Sequence, residues 1–500
     1  MQALLGIDIG TSGCKAVLLD PEGTMIAVAS TAYPLSLPRP GWAEQDPEDW
    51  IRGACQSIAN VMGKAPAVEI LGIGLTGQMH GLVALDRASQ VLRPAILWND
   101  QRAGEECAIA TRAAGGVAGL LSVTNNLMLP GYTGGKLLWM RRHEPGLFAR
   151  TALILSPKDY LRLRLTGEVA TDVSDASGTG LFDTANRLWA TGLIEALGLD
   201  PTTLPPAVES VTITGRVSAL GARLFGVPAG IPVAAGGGDA VVQTFGSGVI
   251  GPGDVQTTIG TAGNLAAILD EPSENVGGRL QVFCNVIPKS WHCMGVSLNA
   301  GGALGWFRNV LGGAPAFDEI TTEAAMSPPG ARGLLFLPYL NGERCPYPDP
   351  DLRGGFIGLT ARHRHGDLAR AVMEGVVYSL NDMLGLMVAM GVENRVIRAS
   401  GGGARSLLWR QIQADVLECD VITTTGASEG AAFGAALIAG LATGVWPDAK
   451  AATAACRTLT LQRPDPVAVA AYRRAYPIYR ALYPALRETF ARLGDAELDS

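Results

Sequence analysis

"IGTSGCKAVLLD", Ile9 to Asp20, has a counterpart 250 residues further on in "IGTAGNLAAILD", Ile259 to Asp270. Aligned without a gap, seven of the twelve positions are identical. One glycine-rich turn written in each half of a 500-residue chain points to an internal duplication. A turn of this kind between two strands leaves backbone N–H groups unshielded, and concave sets of such donors take phosphate oxygens. Two of them on facing domains are suited to grip one polyphosphate from both sides. Thr11, Ser12 and Thr261 add hydroxyls to the pair.

The flanks repeat the same plan. "ALLGIDIG", "CKAVLLD" and "MIAVASTAY" read as three successive strands, the first two joined by the glycine turn. "DPEDWIRGACQSIANVMGKA" then has helical spacing, with Trp50, Ala54, Ile58, Val61 and Met62 on one face and Asp46 as the N-cap before Pro47. "VEILGIGLTG" follows as a buried strand. The second half offers "GDVQTTIGTAGNLAAILD" as strand, turn and strand. It continues with the long helix "LARAVMEGVVYSLNDMLGLMVAM", the strand "RVIRASGGGARS" and the small-residue helix "EGAAFGAALIAGLA". The expected architecture is therefore two related α/β domains, 1–246 and 247–500, meeting in "GSGVIGPG". The closing amphipathic helix over 465–495 has no docking site readable from sequence.

Composition narrows the function. Hydrophobic residues make up 48% and charged residues 17%, ordinary for a globular chain with large cores. A net charge of −7 advertises no surface for nucleic acid. The eight cysteines form no C-x-x-C pair and no zinc spacing, which fits a reducing cytosol and a cytoplasmic protein. No secretory leader is read at the opening "MQALLGIDIG", and "GAAFGAALIAGLATGVW" is too short and too rich in Ala and Gly for a membrane span. Two motifs are decoys. "GIGLTG", Gly72 to Gly77, satisfies G-x-G-x-x-G but runs into a turn and strand rather than the helix of a dinucleotide site. "GASEG", Gly426 to Gly430, resembles a nucleophile elbow, yet all five histidines precede it.

Two carboxylates sharpen the phosphate reading. Asp8 stands at the end of the strand before the first turn, where it suits Mg2+, a hard cation that takes oxygen ligands together with phosphates. Asp239 closes "AAGGGDA" and is placed to accept the proton of an attacking hydroxyl.

With these residues in place, the chain resembles the FGGY carbohydrate kinases. "GYTGGKLLWMRRH", Gly131 to His143, and "GGFIGLTARHRHGDLARAVMEG", Gly354 to Gly375, are similar to the two family signatures. "GWAEQDPEDW", "GQMHG", "LRPAILWND", "SPKDYLRLRLTGE", "FLPYLNGER" and "SGGGARS" follow family segments in order, nearly end to end. The resemblance implies two actin-like (ribonuclease H-like) domains flanking a catalytic cleft. It implies Asp239 as catalytic base, Asp8 near the metal, and Gly10, Thr11, Gly260 and Thr261 as phosphate loops. Gly301, Gly401 and Gly402 match nucleotide-binding turns. Gln78, Met79 and His80 of "GQMHG" match the sugar side, with Trp98, Asn99 and Asp100 nearby. The implied partners are a small sugar and ATP, with Mg2+ as cofactor and a homodimer left open. The implied substrate is a ketose, D-xylulose ahead of another ketose or a polyol. Ala240, Ala262 and Gly305 depart from residues common in the family, and the first bears on the sugar. An actin-like nucleotide switch shares the doubled turn but predicts ATP hydrolysis that ignores sugar.

Overall fold

The computed structural model of the protein describes residues 1–65, 67–310 and 315–498. Two seven-stranded sheets, one per half, share a common plan. In the first, β1 (Gln2–Ile9), β2 (Gly13–Leu19) and β3 (Met25–Ala32) form an antiparallel meander, and β4 (Glu69–Gly77) joins β1 in parallel. Beyond β4 lie β5 (Ile213–Arg216) and β6 (Pro232–Ala234), with the short β7 (Gly237–Gly238) continuing against the end of β4. In the second, β8 (Gly253–Ile259) and β9 (Gly263–Leu269) form the equivalent hairpin. β10 (Gln281–Cys284) and β11 (Trp291–Ser297) extend it on one side. β12 (Asn394–Ser400) runs parallel to β8, followed by β13 (Asp420–Thr424) and β14 (Thr458–Gln462). Each sheet thus has its glycine turn at the same place, between the first two strands of its meander. The two related α/β halves expected from the doubled turn are observed.

The helices follow from the same patterning. α1 (Pro47–Lys64) is capped by Asp46, which accepts from the Glu48 amide, and it buries Trp50, Ala54, Ile58 and Val61 against the first sheet. α2 (Thr133–His143) and α3 (Pro157–Thr166) pack within the first half. α4 (Asp239–Gly246) begins at β7, and α5 (Gly301–Val310) begins beside the second turn. α6 (His365–Ala389) is, among the described residues, the one helix of membrane-spanning length and hydropathy, and most of it lies inside the second core. α7 (Leu407–Leu417) flanks it.

α8 (Ala431–Ala442) crosses back in space: although it comes late in the chain, it lies on β1 and β4 of the first sheet. Gly6 and Gly74 face each other in register on those strands. A side chain at either would fall on the carbonyl oxygen of Ala432 or Ala435 of the helix. Gly6 with Gly72 and Gly74 of "GIGLTG" therefore makes a trough for the helix, which accounts for two of the three glycines in that motif. The helix's own Ala and Gly content answers the same need on its other side, where Gly434 meets the backbone of Val242 in α4.

α9 (Pro466–Leu498) docks on α6 and α7 of the second half. Tyr472 bonds both Arg370 and Glu374, at 2.9 and 2.8 Å, and the Tyr479 hydroxyl meets that of Tyr339 at 2.8 Å.

Candidate active site

The first turn is held from behind. Its Gly10, Thr11 and Ser12 carbonyls accept from the Tyr33 hydroxyl at 2.5 Å, the Gln45 amide at 2.7 Å and the Tyr33 amide at 3.3 Å. Gln78, 1% exposed, donates to Gln45 at 3.0 Å and accepts from the Thr11 hydroxyl at 3.3 Å. Trp98, partly exposed, donates to the same hydroxyl at 2.9 Å. None of the turn's backbone bonds uses the amides of Thr11 or Ser12. Those donors remain for a ligand, and Ser12 is exposed.

The second turn is built in the same way from other parts. The Gly260 carbonyl accepts from the Gly301 amide at 2.7 Å, and the Thr261 carbonyl accepts from Ala300 and Gly302 at 2.9 and 3.0 Å. A Cβ on Gly301 would overlap the Gly260 carbonyl oxygen. Gly401, with φ of 75°, is in the left-handed region, and a Cβ there would stand 2.7 Å from the Ile259 carbonyl oxygen. Gly402 opens the short turn that follows. Gly260, Gly301 and Gly401, separated by up to 141 residues of chain, thus converge on the end of β8.

Asp239 is the first residue of α4, and its Oδ1 accepts from the Ala240 amide at 2.8 Å. Burial first, then the neighbouring Asp8 carboxylate, push its carboxyl up to about 8, against hydrogen bonds from the Ala240 and Met79 amides. Asp8 lies in register between Lys15 on β2 and Thr76 on β4. Burial raises it to about 6, and Lys15 opposes the shift. One turn along α4, Gln243 reaches the Thr258 hydroxyl of β8 at 3.5 Å, and Thr244 donates to Gln256 at 2.8 Å. α4 therefore runs from the Asp8–Asp239 pair to the strand that carries the second turn. The two turns and the two carboxylates that stand out in the sequence lie along one continuous path.

This pair makes stability fall with pH. Between the unfolded carboxylate range near 4 and about 8, folded Asp239 holds protons that the unfolded chain releases. That contribution is complete at low pH and lost as pH rises through about 8. Asp239→Asn should therefore raise the melting temperature by a few degrees at about pH 8, with the gain shrinking toward about pH 4. Differential scanning calorimetry across that range checks the sign.

His80 sits at φ 69°, a strained value for a non-glycine residue. Its carbonyl accepts from Thr133 at 3.0 Å and Lys136 at 2.9 Å, and its ring stacks on Tyr132 at 4.4 Å. Nδ1 donates to the Gly178 carbonyl at 2.5 Å. Burial pushes the imidazole down to about 3, so it stays neutral and leaves Nε2 as an acceptor. Met79 is 4% exposed, and a Cβ on Gly238 would stand 2.5 Å from its Cγ.

Two of the expected site residues, Asp100 and Gln78, are buried and already hydrogen-bonded within the protein. Asp100 has no exposed surface; its oxygens are taken by the Ala43 amide at 2.7 Å and by Arg102 at 2.7–3.0 Å. Gln78 spends its amide on the first turn, as above. Both are polar and close to other expected site residues in sequence, and besides Arg102 their partners Ala43 and Gln45 come from far along the chain. The converse also holds. Phe283 lies 5.9 Å from the His80 ring, and the segment "TDVSDASGTG", Thr171 to Gly180, supplies the Gly178 carbonyl. Its small hydroxyl and acidic residues match none of the motifs picked out in the sequence.

Residues 3–246 match the N-terminal domain of the FGGY family of carbohydrate kinases, and residues 255–443 match its C-terminal domain. The chain is 38% identical to the xylulose kinase of Escherichia coli (strain K12), over 96% of this chain and 99% of that one. It is 36% identical to the xylulose kinase of Bacillus subtilis (strain 168), over 97% of each. A crystal structure described as a xyloylose kinase from Brucella ovis superposes with a TM-score of 0.92 at 36% identity, covering 97% of this chain and all of the other. With both family domains present around this pair of turns and carboxylates, the chain belongs to the FGGY family of carbohydrate kinases.

Proposed function

We propose that this kinase transfers the γ-phosphoryl group of ATP to D-xylulose, giving D-xylulose 5-phosphate, with 1–246 as the sugar side and 247–500 as the nucleotide side. The observation that carries phosphoryl transfer is the Asp8–Asp239 pair at the junction of the two glycine turns. The choice of sugar is supported by the two bacterial xylulose kinases, which match over nearly the whole chain.

A sugar hydroxyl is a poor nucleophile. Asp239 orients it and takes its proton as the oxygen attacks the γ-phosphorus. His80 accepts from a second sugar hydroxyl through Nε2, while Met79 and Trp98 wall the sugar and Gln78 and Asp100 brace them. Gly10, Thr11, Ser12, Gly260 and Thr261 hold phosphate oxygens, and Gly301, Gly401 and Gly402 face the adenosine. Mg2+ fits Asp8, whose Oδ1 is buried without a hydrogen-bond partner and offers a hard oxygen. Among the described residues no group of three or more His, Cys, Asp or Glu could cage a metal, an arrangement that suits an ion shared with phosphates. When bound, it neutralises charge on the transferring group.

The alternative is another ketose or a polyol, and Ala240, beside the base, bears on it by offering no side-chain hydrogen bond to the sugar. A coupled ADP assay with D-xylulose, D-ribulose, L-ribulose, glycerol and gluconate separates the readings. D-xylulose should lead in kcat/KM by about tenfold or more. A clear lead for another sugar would overturn the substrate, and ATP turnover indifferent to sugar would overturn the kinase reading.

A further inference from the structure

We propose that Ser174 is a positioning residue that fixes Asp239 relative to His80, an inference that rests on Asp239 being the base. Asp239 follows three glycines, Gly236 to Gly238, which have no side chains to anchor the backbone that carries it. The Ser210 carbonyl holds the Gly236 amide at 3.0 Å and β7 pairs with β4, and the side-chain anchor nearest Asp239 comes from outside that sheet. The Ser174 hydroxyl, fully buried, accepts from the Gly238 amide at 3.0 Å and donates to Asp172 Oδ2 at 2.6 Å. A Cβ on Gly237 would stand 2.9 Å from that hydroxyl, so the glycine strand is pressed directly onto it.

Asp172 is itself immobilised. Its Oδ2 also accepts from the Ser174 amide and the Ser210 hydroxyl, each at 2.8 Å, and its Oδ1 pairs with buried Lys158 at 2.9 Å. Four residues beyond Ser174, the Gly178 carbonyl takes the Nδ1 proton of His80. A single short segment therefore holds both the base and the histidine facing the sugar, alongside the Met79 amide that bonds Asp239 directly. A shift of about 1 Å in such a spacing can cost about a hundredfold in rate.

Ser210 supplies the control, because its hydroxyl bonds the same Asp172 oxygen but not Gly238, and its carbonyl bond to the Gly236 amide survives the substitution. The experiment compares Ser174→Ala, Ser210→Ala and Asp239→Asn in full-length enzyme, measuring kcat and KM for D-xylulose, with the melting temperature recorded for each. Ser174→Ala should lower kcat by about ten- to a hundredfold with KM within about threefold. Ser210→Ala should keep kcat within about twofold at a similar loss of thermal stability. Equal kcat in the two serine variants would overturn the positioning role. Ser174→Cys, whose larger thiol is a weak acceptor, should lower kcat in the same direction if the alanine variant does not accumulate. Turnover persisting in Asp239→Asn would instead remove the base on which the inference rests, so the two failures are distinguishable.

Discussion

Asp239→Asn should cut phosphorylation by about 10²- to 10⁴-fold, the usual contribution of a positioned general base. Sugar affinity should change little, because asparagine keeps the shape and still accepts from the Ala240 amide. What it loses is proton affinity. The environment of Asp239 shows why that property matters: burial and the nearby Asp8 carboxylate hold the carboxyl at about 8, far above a solvated aspartate. To act as the proposed base it has to be ionised when the hydroxyl attacks, so turnover should climb as pH rises toward about 8. The measurements are kcat in the coupled assay and sugar affinity by calorimetry. A variant that binds sugar but turns over at more than about a tenth of the wild-type rate would sink the base assignment.

The second large effect concerns the fold. Gly74→Ala should destabilise the protein by about 3 kcal/mol or more, at or beyond the upper end of ordinary overpacking. The added methyl meets the Ala435 backbone of α8, and a backbone, unlike a side chain, has no alternative rotamer to retreat to. Relief requires α8 to lift off β1 and β4, which exposes the interface of Ala, Leu and Phe side chains that joins late chain to early chain. Gly63→Ala is the control. Gly63 lies exposed in α1, and a methyl added there would have nothing within 4 Å. That change should be neutral or stabilising by up to about 1 kcal/mol. Urea denaturation of both variants compares them directly.

These cases mark where sequence was informative. The doubled turn, the meanders, the Asp46 cap and the carboxylates at strand or helix ends are local patterns, fixed by spacing, and they were legible. The return of α8 to the first sheet was not, because no local rule pairs residues more than 350 positions apart. Its imprint was present nonetheless, as glycines at Gly6 and Gly74 and as an Ala- and Gly-rich helix, but small residues have several uses. Asp100 and Gln78 were legible as polar residues beside the site. Their orientation depended on Ala43 and Gln45 as well as on neighbouring Arg102, and only the folded chain brings the first two to them. Ser174 carries no local signal for the same reason: its significance lies in the Gly238 amide, 64 residues away.

The most direct test of the central claim is phosphorus NMR of a reaction containing Mg2+, ATP and D-xylulose. A sugar phosphomonoester should accumulate in step with ADP, only when sugar is present and not with Asp239→Asn. Release of inorganic phosphate at the same rate with or without sugar would contradict it.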